Sequence, residues 1–238
     1  MLLSIVIPSF RGAAVLRKQL PVFIEYMSQT QMDFEIIIVN DGSNDNGETL
    51  EVARENNCQY IEVKQNKGKG YAVRSGMLHA KGRFRIFTDV DIPFEYESML
   101  RFLNYLDHKE FDVVIGDRTL EESSYFAEIS GLRKLGSKIF STFVGRFVAG
   151  GHFDTQCGIK GFKDTVAMDL FGVSKINSFA FDVELLYIAL KRNYDIKRLP
   201  VKLRCQEGSS VNVFFHGIGM LIDVLRIKVN HLRGVYNV

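Results

Sequence analysis

A regular alternation of short apolar runs with helix-like stretches in the first half of the chain limits the fold most strongly. Residues 35–39 include four consecutive branched apolar side chains, which is typical of a strand buried on both faces of a parallel sheet. Further strand patterns at residues 3–8, 60–63 and 83–88 are separated by helical ones. This alternation predicts an α/β fold with a mostly parallel central sheet and helices on both faces.

The remaining predicted elements extend this plan through the chain. Helical patterns cover residues 13–27, 44–56, 70–80, 132–148, 180–190 and 211–232, and strand patterns cover residues 111–116 and 199–204. Because no internal repeat and no linker-like stretch interrupts the sequence, we predict a single domain over residues 1–238.

Composition excludes several classes of protein. Hydrophobic residues make up 46% and charged residues 24% of the chain, which are globular values and argue against disorder. A net charge of +2 is too near neutral for a dedicated nucleic-acid binder, so no nucleic-acid partner is expected. No run reaches the ~20 apolar residues that a membrane span needs, and the N-terminus lacks the pattern of a signal peptide. Three widely spaced cysteines indicate a reducing, cytoplasmic location.

Two aspartates follow one of the predicted strands directly. Ligands of open α/β sheets gather at the carboxyl ends of the strands, and Asp89 and Asp91 stand there, two positions apart. Paired carboxylates are hard oxygen ligands that suit Mg²⁺ or Mn²⁺, which usually also bind substrate phosphates. The alternative is a solvated acidic turn.

Two further motifs lie at strand ends. Asp41 follows the predicted strand at residues 35–39 and lies within a turn sequence. A carboxylate at that place can accept hydrogen bonds from a nucleotide base or ribose. A plain strand-to-helix turn is the alternative. The glycine-rich residues 66–74 contain Lys69 and open a helix, so they can approach a phosphate closely. Their spacing is not that of a Walker A loop, and a lysine-bearing surface turn is the alternative.

A pair of acidic residues opens a strongly apolar helix. Asp182 and Glu184 lie within residues 179–186, among phenylalanine and leucine. Burying an unpaired carboxylate is costly, so these residues are expected to have a functional or a structural partner. Capping of the helix N-terminus by Asp182 is the structural alternative.

Taken in order, these motifs resemble a known family. They are residues 5–10, 39–43, 66–74, 89–91, 116–118, 154–162 and 180–186. The resemblance covers residues 3–230 and is to family 2 glycosyltransferases of the GT-A fold. Within that family it points to the dolichyl-phosphate glucosyltransferase and polyprenyl-phosphate sugar synthase branch, and residues 154–162 and 179–186 are the most specific to it.

For the donor, the resemblance implies a nucleotide diphosphate sugar, UDP-glucose, in a Rossmann-like N-terminal half of about residues 1–92. Pro8 and Asp41 would border the base pocket, and Lys69 would contact the donor nucleotide. Asp89 and Asp91 would hold Mg²⁺ or Mn²⁺ on the diphosphate. Pro93 stands where relatives often carry a polar residue two positions after the second metal aspartate, which leaves water to complete the metal shell.

For the acceptor, the resemblance implies a lipid phosphate bound by residues of about 93–238. Arg118, Arg133 and Ser137 would contact the phosphate, and a guanidinium suits a phosphate monoester because it can bind it through two parallel hydrogen bonds. Asp182 would face the sugar or the attacking oxygen, so Asp182 and Asp91 are the candidate catalytic residues. Leu203 stands where the branch usually has tryptophan.

Other functions remain open at this point. Transfer to a saccharide hydroxyl would require a general base, for which Asp182 is the candidate. A sugar-nucleotide pyrophosphorylase would carry an arginine- and glycine-rich loop near the N-terminus, and Arg11-Gly12 alone is too little. A non-catalytic nucleotide-sugar sensor is disfavoured by the two intact aspartate motifs.

Two predicted helices suggest a membrane surface as a partner. Residues 131–148 combine an apolar stripe with four basic and no acidic side chains, and residues 211–232 carry a second apolar stripe. Such helices can lie in a lipid interface without crossing the bilayer. The alternative is that both stripes pack on the sheet.

Overall fold

The structure, a computed structural model, describes residues 2–124, 154–204 and 213–237, and in the last range it describes side chains from residue 219 onward. The helix predicted at residues 132–148, together with Arg133 and Ser137, lies outside the described residues. The strands are β1 (Leu3–Ser9), β2 (Phe34–Asp41), β3 (Gln59–Val63), β4 (Phe84–Phe87), β5 (Val113–Asp117), β6 (Lys160–Lys163) and β7 (Ile196–Pro200). The helices are α1 (Ala13–Gln29), α2 (Glu48–Glu55), α3 (Lys69–His79), α4 (Glu97–Asp107), α5 (Asp164–Val173), α6 (Phe181–Lys191) and α7 (Val213–Leu232).

The described strands form one sheet that draws on both halves of the chain. Its seven strands run in the order β3-β2-β1-β4-β6-β5-β7. β6 is antiparallel to both of its neighbours, β4 and β5, and every other pair is parallel. The prediction of an α/β fold with a mostly parallel sheet is therefore confirmed.

Helices cover both faces of the sheet, as predicted. Alternate residues of a strand point to opposite faces, so Ile5 and Ile7 of β1 pack with α1 and α4, whereas Val6 packs with α3. The core on the α3 side also includes α5, α6 and Val224 and Ile227 of α7. This helix thus packs against the body of the protein through residues outside its predicted apolar stripe, whose described members Leu221, Leu225 and Val229 are exposed.

Several boundaries differ from the predictions. The helix expected from residue 44 begins at Glu48, because Asn44, Asn46 and Gly47 adopt positive φ angles of 50°, 53° and 88° that no α-helix contains. The strand expected at 199–204 has the wrong bounds: β7 begins at Ile196 and its pairing with β5 ends at Pro200, and Leu203 makes only an isolated bridge to Phe94. Within the described ranges, no helix is both long enough and apolar enough to cross a bilayer.

Candidate active site

The carboxyl ends of three adjacent strands meet at one edge of the sheet. Because β1 lies between β2 and β4, Pro8 in β1, Asp41 at the end of β2 and Asp89 just after β4 lie along this edge. Pro8 and Asp41 are buried. The structure therefore brings together the strand-end residues that the sequence singled out.

The Asp41 carboxylate orders the glycine-rich loop. Its Oδ1 accepts a hydrogen bond from the Lys67 amide at 2.9 Å, and its Oδ2 accepts one from the Gly68 amide at 2.8 Å. A carboxylate has about four acceptor positions, so these bonds leave it the capacity to accept from a ligand. The sequence did not reveal this local partner, and the predicted place of Asp41 beside a nucleotide base stays a prediction.

The same loop packs closely on the segment that precedes α6. Gly68 has a φ of 99°, and a Cβ added there would lie 2.5 Å from the Asn177 carbonyl oxygen. That oxygen accepts a hydrogen bond from the Gly70 amide at 2.8 Å. Only glycine combines this backbone angle with so close an approach, and the contact fixes the start of α3, where Lys69 stands.

Lys69 reaches the first of the two neighbouring aspartates. Its Nζ lies 2.5 Å from Oδ1 of Asp89, and the two side chains are 20% and 34% exposed. Burial alone would lower the pKa of Lys69, but the charges of Asp89, Asp182 and Asp91 raise it above its ordinary value. Lys69 therefore remains an ammonium ion at the centre of an acidic cluster.

Gly158 closes the other side of Asp89. A Cβ added at Gly158 would lie only 1.9 Å from Asp89 Oδ2, far inside van der Waals contact. The position of the Asp89 carboxylate therefore depends on the absence of a side chain at Gly158. Gly158 lies within the family-like motif at residues 154–162, but the sequence alone indicates no role for it.

The acidic pair fits a hard divalent cation that also binds substrate. Asp89 and Asp91 supply carboxylate oxygens, and within the described residues no group of three or more His, Cys, Asp or Glu side chains is placed to hold a metal ion. Mg²⁺ and similar ions are commonly held by one or two carboxylates, with water and substrate phosphates completing the shell. The donor set therefore suits a metal shared with a diphosphate rather than a metal caged by protein.

Asp182 lies in the core beside this cluster. It is the second residue of α6, it is 4% exposed, and its Oδ1 accepts a hydrogen bond from Lys160 Nζ at 2.6 Å. Burial raises the pKa of Asp182 above its ordinary value, against the lowering effect of the Lys160 and Lys69 charges. The capping alternative is wrong, since the N-cap of α6 is Ala180 and no side chain caps the helix.

Glu184 has a different, structural role. Its carboxylate accepts hydrogen bonds from the Lys175 amide at 2.9 Å, the Ile176 amide at 2.8 Å and the Tyr236 hydroxyl at 2.6 Å. It is fully buried, and burial raises its pKa although these donors lower it. The two acidic residues of the α6 motif therefore serve separate purposes: Glu184 holds the loop before α6, and Asp182 borders the candidate site.

Arg118 is held in place by a second carboxylate. Its Nε and Nη2 donate to Asp154 Oδ2 and Oδ1 at 2.5 and 2.8 Å, and its backbone amide donates to Oδ2 at 3.1 Å. Burial would raise the pKa of Asp154, but these contacts hold it below its ordinary value. Arg118 is about a third exposed. Arg133 and Ser137, expected to act with it, lie outside the described residues.

Comparison with known proteins supplies the family. The family model for "Glycosyl transferase family 2" matches residues 4–171, a range that includes β2 to β6, all of β1 except its first residue, and the two aspartates at residues 89 and 91. This chain belongs to glycosyl transferase family 2. The resemblance noted in the sequence is thereby confirmed, and the protein is a glycosyltransferase enzyme.

Curated relatives place this family 2 glycosyltransferase in the predicted branch. It is 31% identical over 250 residues to the dolichyl-phosphate β-glucosyltransferase of Dictyostelium discoideum, an alignment that covers 99% of this chain and 76% of that protein. It is 31% identical over 255 residues to the dolichyl-phosphate β-glucosyltransferase of Homo sapiens, covering 98% and 77%.

A solved structure supports the fold of this family 2 glycosyltransferase. The glucosyl-3-phosphoglycerate synthase of Mycobacterium tuberculosis, crystallised with Mn²⁺, UDP and glucosyl-3-phosphoglycerate, matches it with a TM-score of 0.71 at 15% identity, covering 94% of this chain and 78% of that one. The same synthase, crystallised with Mg²⁺ and UDP, matches with a TM-score of 0.70 at 16% identity. These likenesses confirm the predicted GT-A architecture.

Proposed function

We propose that this glycosyltransferase moves glucose from UDP-glucose to the phosphate of a polyprenyl or dolichyl lipid, with Mg²⁺ or Mn²⁺ and with inversion at the anomeric carbon. The observation that carries the proposal is the cluster of Asp89, Lys69 and Asp182 at the carboxyl edge of the sheet, in a chain whose full-length relatives are named dolichyl-phosphate β-glucosyltransferases.

On the donor side, the residues at the sheet edge would each bind a different part of the nucleotide sugar. Asp89 and Asp91 would hold the divalent metal, which supplies Lewis-acid stabilisation of the negative charge on the departing diphosphate. The Lys69 ammonium, which contacts Asp89, would add a second positive charge beside the diphosphate. Pro8 and Asp41 would border the uracil. The synthase noted above was solved with UDP and with either metal, which supports this choice of donor nucleotide and cofactor.

On the acceptor side, a phosphate monoester needs little activation. Its second pKa is about 6, so an anionic oxygen is available at neutral pH without a strong general base. Arg118, oriented by Asp154, would bind that phosphate together with Arg133 and Ser137. The phosphate oxygen forms a bond to the anomeric carbon while the bond to the UDP oxygen breaks on the opposite face. Asp182 would then orient the sugar rather than remove a proton.

The exposed face of α7 suits a lipid surface. Among the side chains of α7 that the structure describes, five large apolar ones are at least 40% exposed: Leu221, Ile222, Leu225, Val229 and Leu232. A groove of about 820 Å³ between α7 and the loops at residues 66–68 and 175–178 is lined by Lys67, Lys175, Arg226 and Arg233. Apolar side chains beside basic ones favour attachment to an anionic membrane. We propose that this face holds the enzyme at the membrane where its lipid acceptor resides.

The acceptor is tested by transfer assays with labelled UDP-glucose and Mn²⁺. We expect label to enter a short polyprenyl phosphate and not the matched polyprenyl alcohol, because only the phosphate offers an anionic oxygen to Arg118. EDTA should abolish the transfer. Label in an oligosaccharide with none in the lipid would instead favour transfer to a saccharide hydroxyl.

The membrane surface is tested by co-sedimentation with anionic vesicles. Leu225 and Leu232 are 60% and 84% exposed, and changing both to aspartate should weaken binding at least about tenfold, since burying one leucine contributes about 1.5–3 kcal/mol. The matched control is Val22→Asp on α1, which is also exposed but lies on the opposite side of the sheet. Equal binding by all three proteins would exclude α7 as the attachment surface.

A further inference from the structure

Lys160 is a buried charge that the proposed reaction leaves without a role. It opens β6, where it pairs with Phe87 of β4 and Ile115 of β5, and its side chain has no solvent exposure. Its Nζ lies 5.5 Å from the centre of the Phe87 ring. A lysine in such surroundings is costly unless its charge is paired, so its partners indicate why it is there.

The Lys160 ammonium joins two parts of the candidate site. It donates to Asp182 Oδ1 at 2.6 Å and to the Cys157 carbonyl oxygen at 2.8 Å. Asp182 belongs to α6, whereas Cys157 precedes Gly158, the residue that packs on the Asp89 carboxylate. One side chain therefore fixes Asp182 relative to the segment that contacts the candidate metal ligand.

Without Lys160, the position of Asp182 would change. Asp89, Asp91 and Asp182 all act electrostatically on Lys69, the other ammonium in the cluster. An Asp182 carboxylate that lost its 2.6 Å partner would turn toward Lys69 and compete with Asp89 for it. Loss of Lys160 would therefore affect Lys69 and Asp89 at the donor site as well as Asp182.

We propose that Lys160 is a positioning residue for the transfer reaction, holding the Asp182 carboxylate toward the sugar and away from Lys69. This inference rests on the proposed function, because it takes Asp182 to act on the bound sugar. A positioning role differs from a purely structural one in a measurable way: replacing Lys160 should lower the rate of the chemical step more than it lowers the affinity for the donor.

The test compares Lys160→Met, Asp182→Asn and the double variant in metal-dependent transfer. We expect Lys160→Met to lower kcat by about 10- to 100-fold, the range seen when the partner of a site residue is removed. The Kd of UDP with Mn²⁺, measured by calorimetry, should rise by a smaller factor than kcat falls, because Lys160 acts more on the chemical step than on uniform binding. The double variant should be no slower than Asp182→Asn, because Lys160 acts through Asp182.

The matched control is Lys163→Met. Lys163 is on the same strand and is also paired with an aspartate, Asp112, at 3.1 Å, but that aspartate lies at the amino end of β5 and not at the site. We expect the kcat of Lys163→Met to equal that of the wild type. An unchanged kcat in Lys160→Met, or losses that multiply in the double variant, would overturn the proposal.

Three further outcomes are informative. If Lys160→Met does not fold, the comparison of Asp182→Asn with the double variant still decides, since Asp182→Asn keeps an amide oxygen that can accept from Lys160 and the double variant removes both buried charges. A further loss of kcat in the double variant contradicts the proposal. If the wild type hydrolyses UDP-glucose but does not use lipid phosphate, the proposed acceptor is wrong, and the same comparison is made on hydrolysis. If it turns over UDP-glucose in neither assay, both proposals fail.

Discussion

Changing both Asp89 and Asp91 to asparagine is expected to lower metal-dependent glucose transfer by at least about 10³-fold. Loss of a Lewis acid from a departing diphosphate removes several kcal/mol of transition-state stabilisation, and about 1.4 kcal/mol corresponds to each tenfold step in rate. Asparagine keeps the shape of aspartate, and its amide oxygen can still accept a hydrogen bond from Lys69, so the fold should persist. Steady-state kinetics and calorimetric titration of Mn²⁺ with UDP measure the two effects.

The control for this change is Asp112→Asn. Asp112 is also paired with a lysine, Lys163 at 3.1 Å, and is 25% exposed, but it precedes β5 at the amino edge of the sheet. The activity and the Mn²⁺ affinity of the Asp112→Asn variant should match those of the wild type. Retention of Mn²⁺-dependent UDP binding by the Asp89/Asp91 double variant would show that the metal is held elsewhere.

A single added methyl group at Gly158 is expected to lower kcat by about 10²-fold or more. The new Cβ would lie 1.9 Å from Asp89 Oδ2, so the carboxylate must move by about 1 Å or more. A displacement of that size can cost about 10²-fold in rate. Because Asp89 also contacts Lys69, the affinity for Mn²⁺ in the presence of UDP should fall as well.

Gly172→Ala in α5 is the matched control for Gly158→Ala. A Cβ added there meets no atom within 4 Å, and replacing a helical glycine by alanine generally stabilises by about 0.5–1 kcal/mol. We expect wild-type activity and a slightly raised Tm. Wild-type activity in Gly158→Ala itself would mean that the working position of the Asp89 carboxylate differs from the one described.

The sheet and its edge could be predicted because their signals are local. Four branched side chains in residues 35–39 specify a buried strand, and aspartates directly after a strand must lie at its carboxyl end. By contrast, β6 has four residues, of which two are lysines, so it carries neither the length nor the alternation of a recognisable strand. Its antiparallel place between β4 and β5 depends on contacts distant in sequence.

The residues that hold Asp182 and Arg118 in place could not be predicted from the sequence for a related reason. Lys160 and Asp182 are 22 residues apart, and Arg118 and Asp154 are 36 residues apart, so no periodicity links them. A lysine next to apolar Ile159 was the available signal, since a buried cation needs a partner. The base-pocket roles of Pro8 and Asp41 stay predictions, because they depend on a ligand rather than on contacts within the chain.

The loop before α6 limits which substitutions the enzyme can accept, because it links the glycine-rich loop to α7. Asn177 accepts from the Gly70 amide, and Ser178 donates to Asp223 of α7 at 2.6 Å. Residues 175 and 176 are in turn held through Glu184 to Tyr236. The glycine-rich loop and the helix proposed to contact lipid are thus built on one shared scaffold. A substitution that adapts α7 to another membrane is therefore constrained by the geometry that Lys69 requires, and the two surfaces must evolve together.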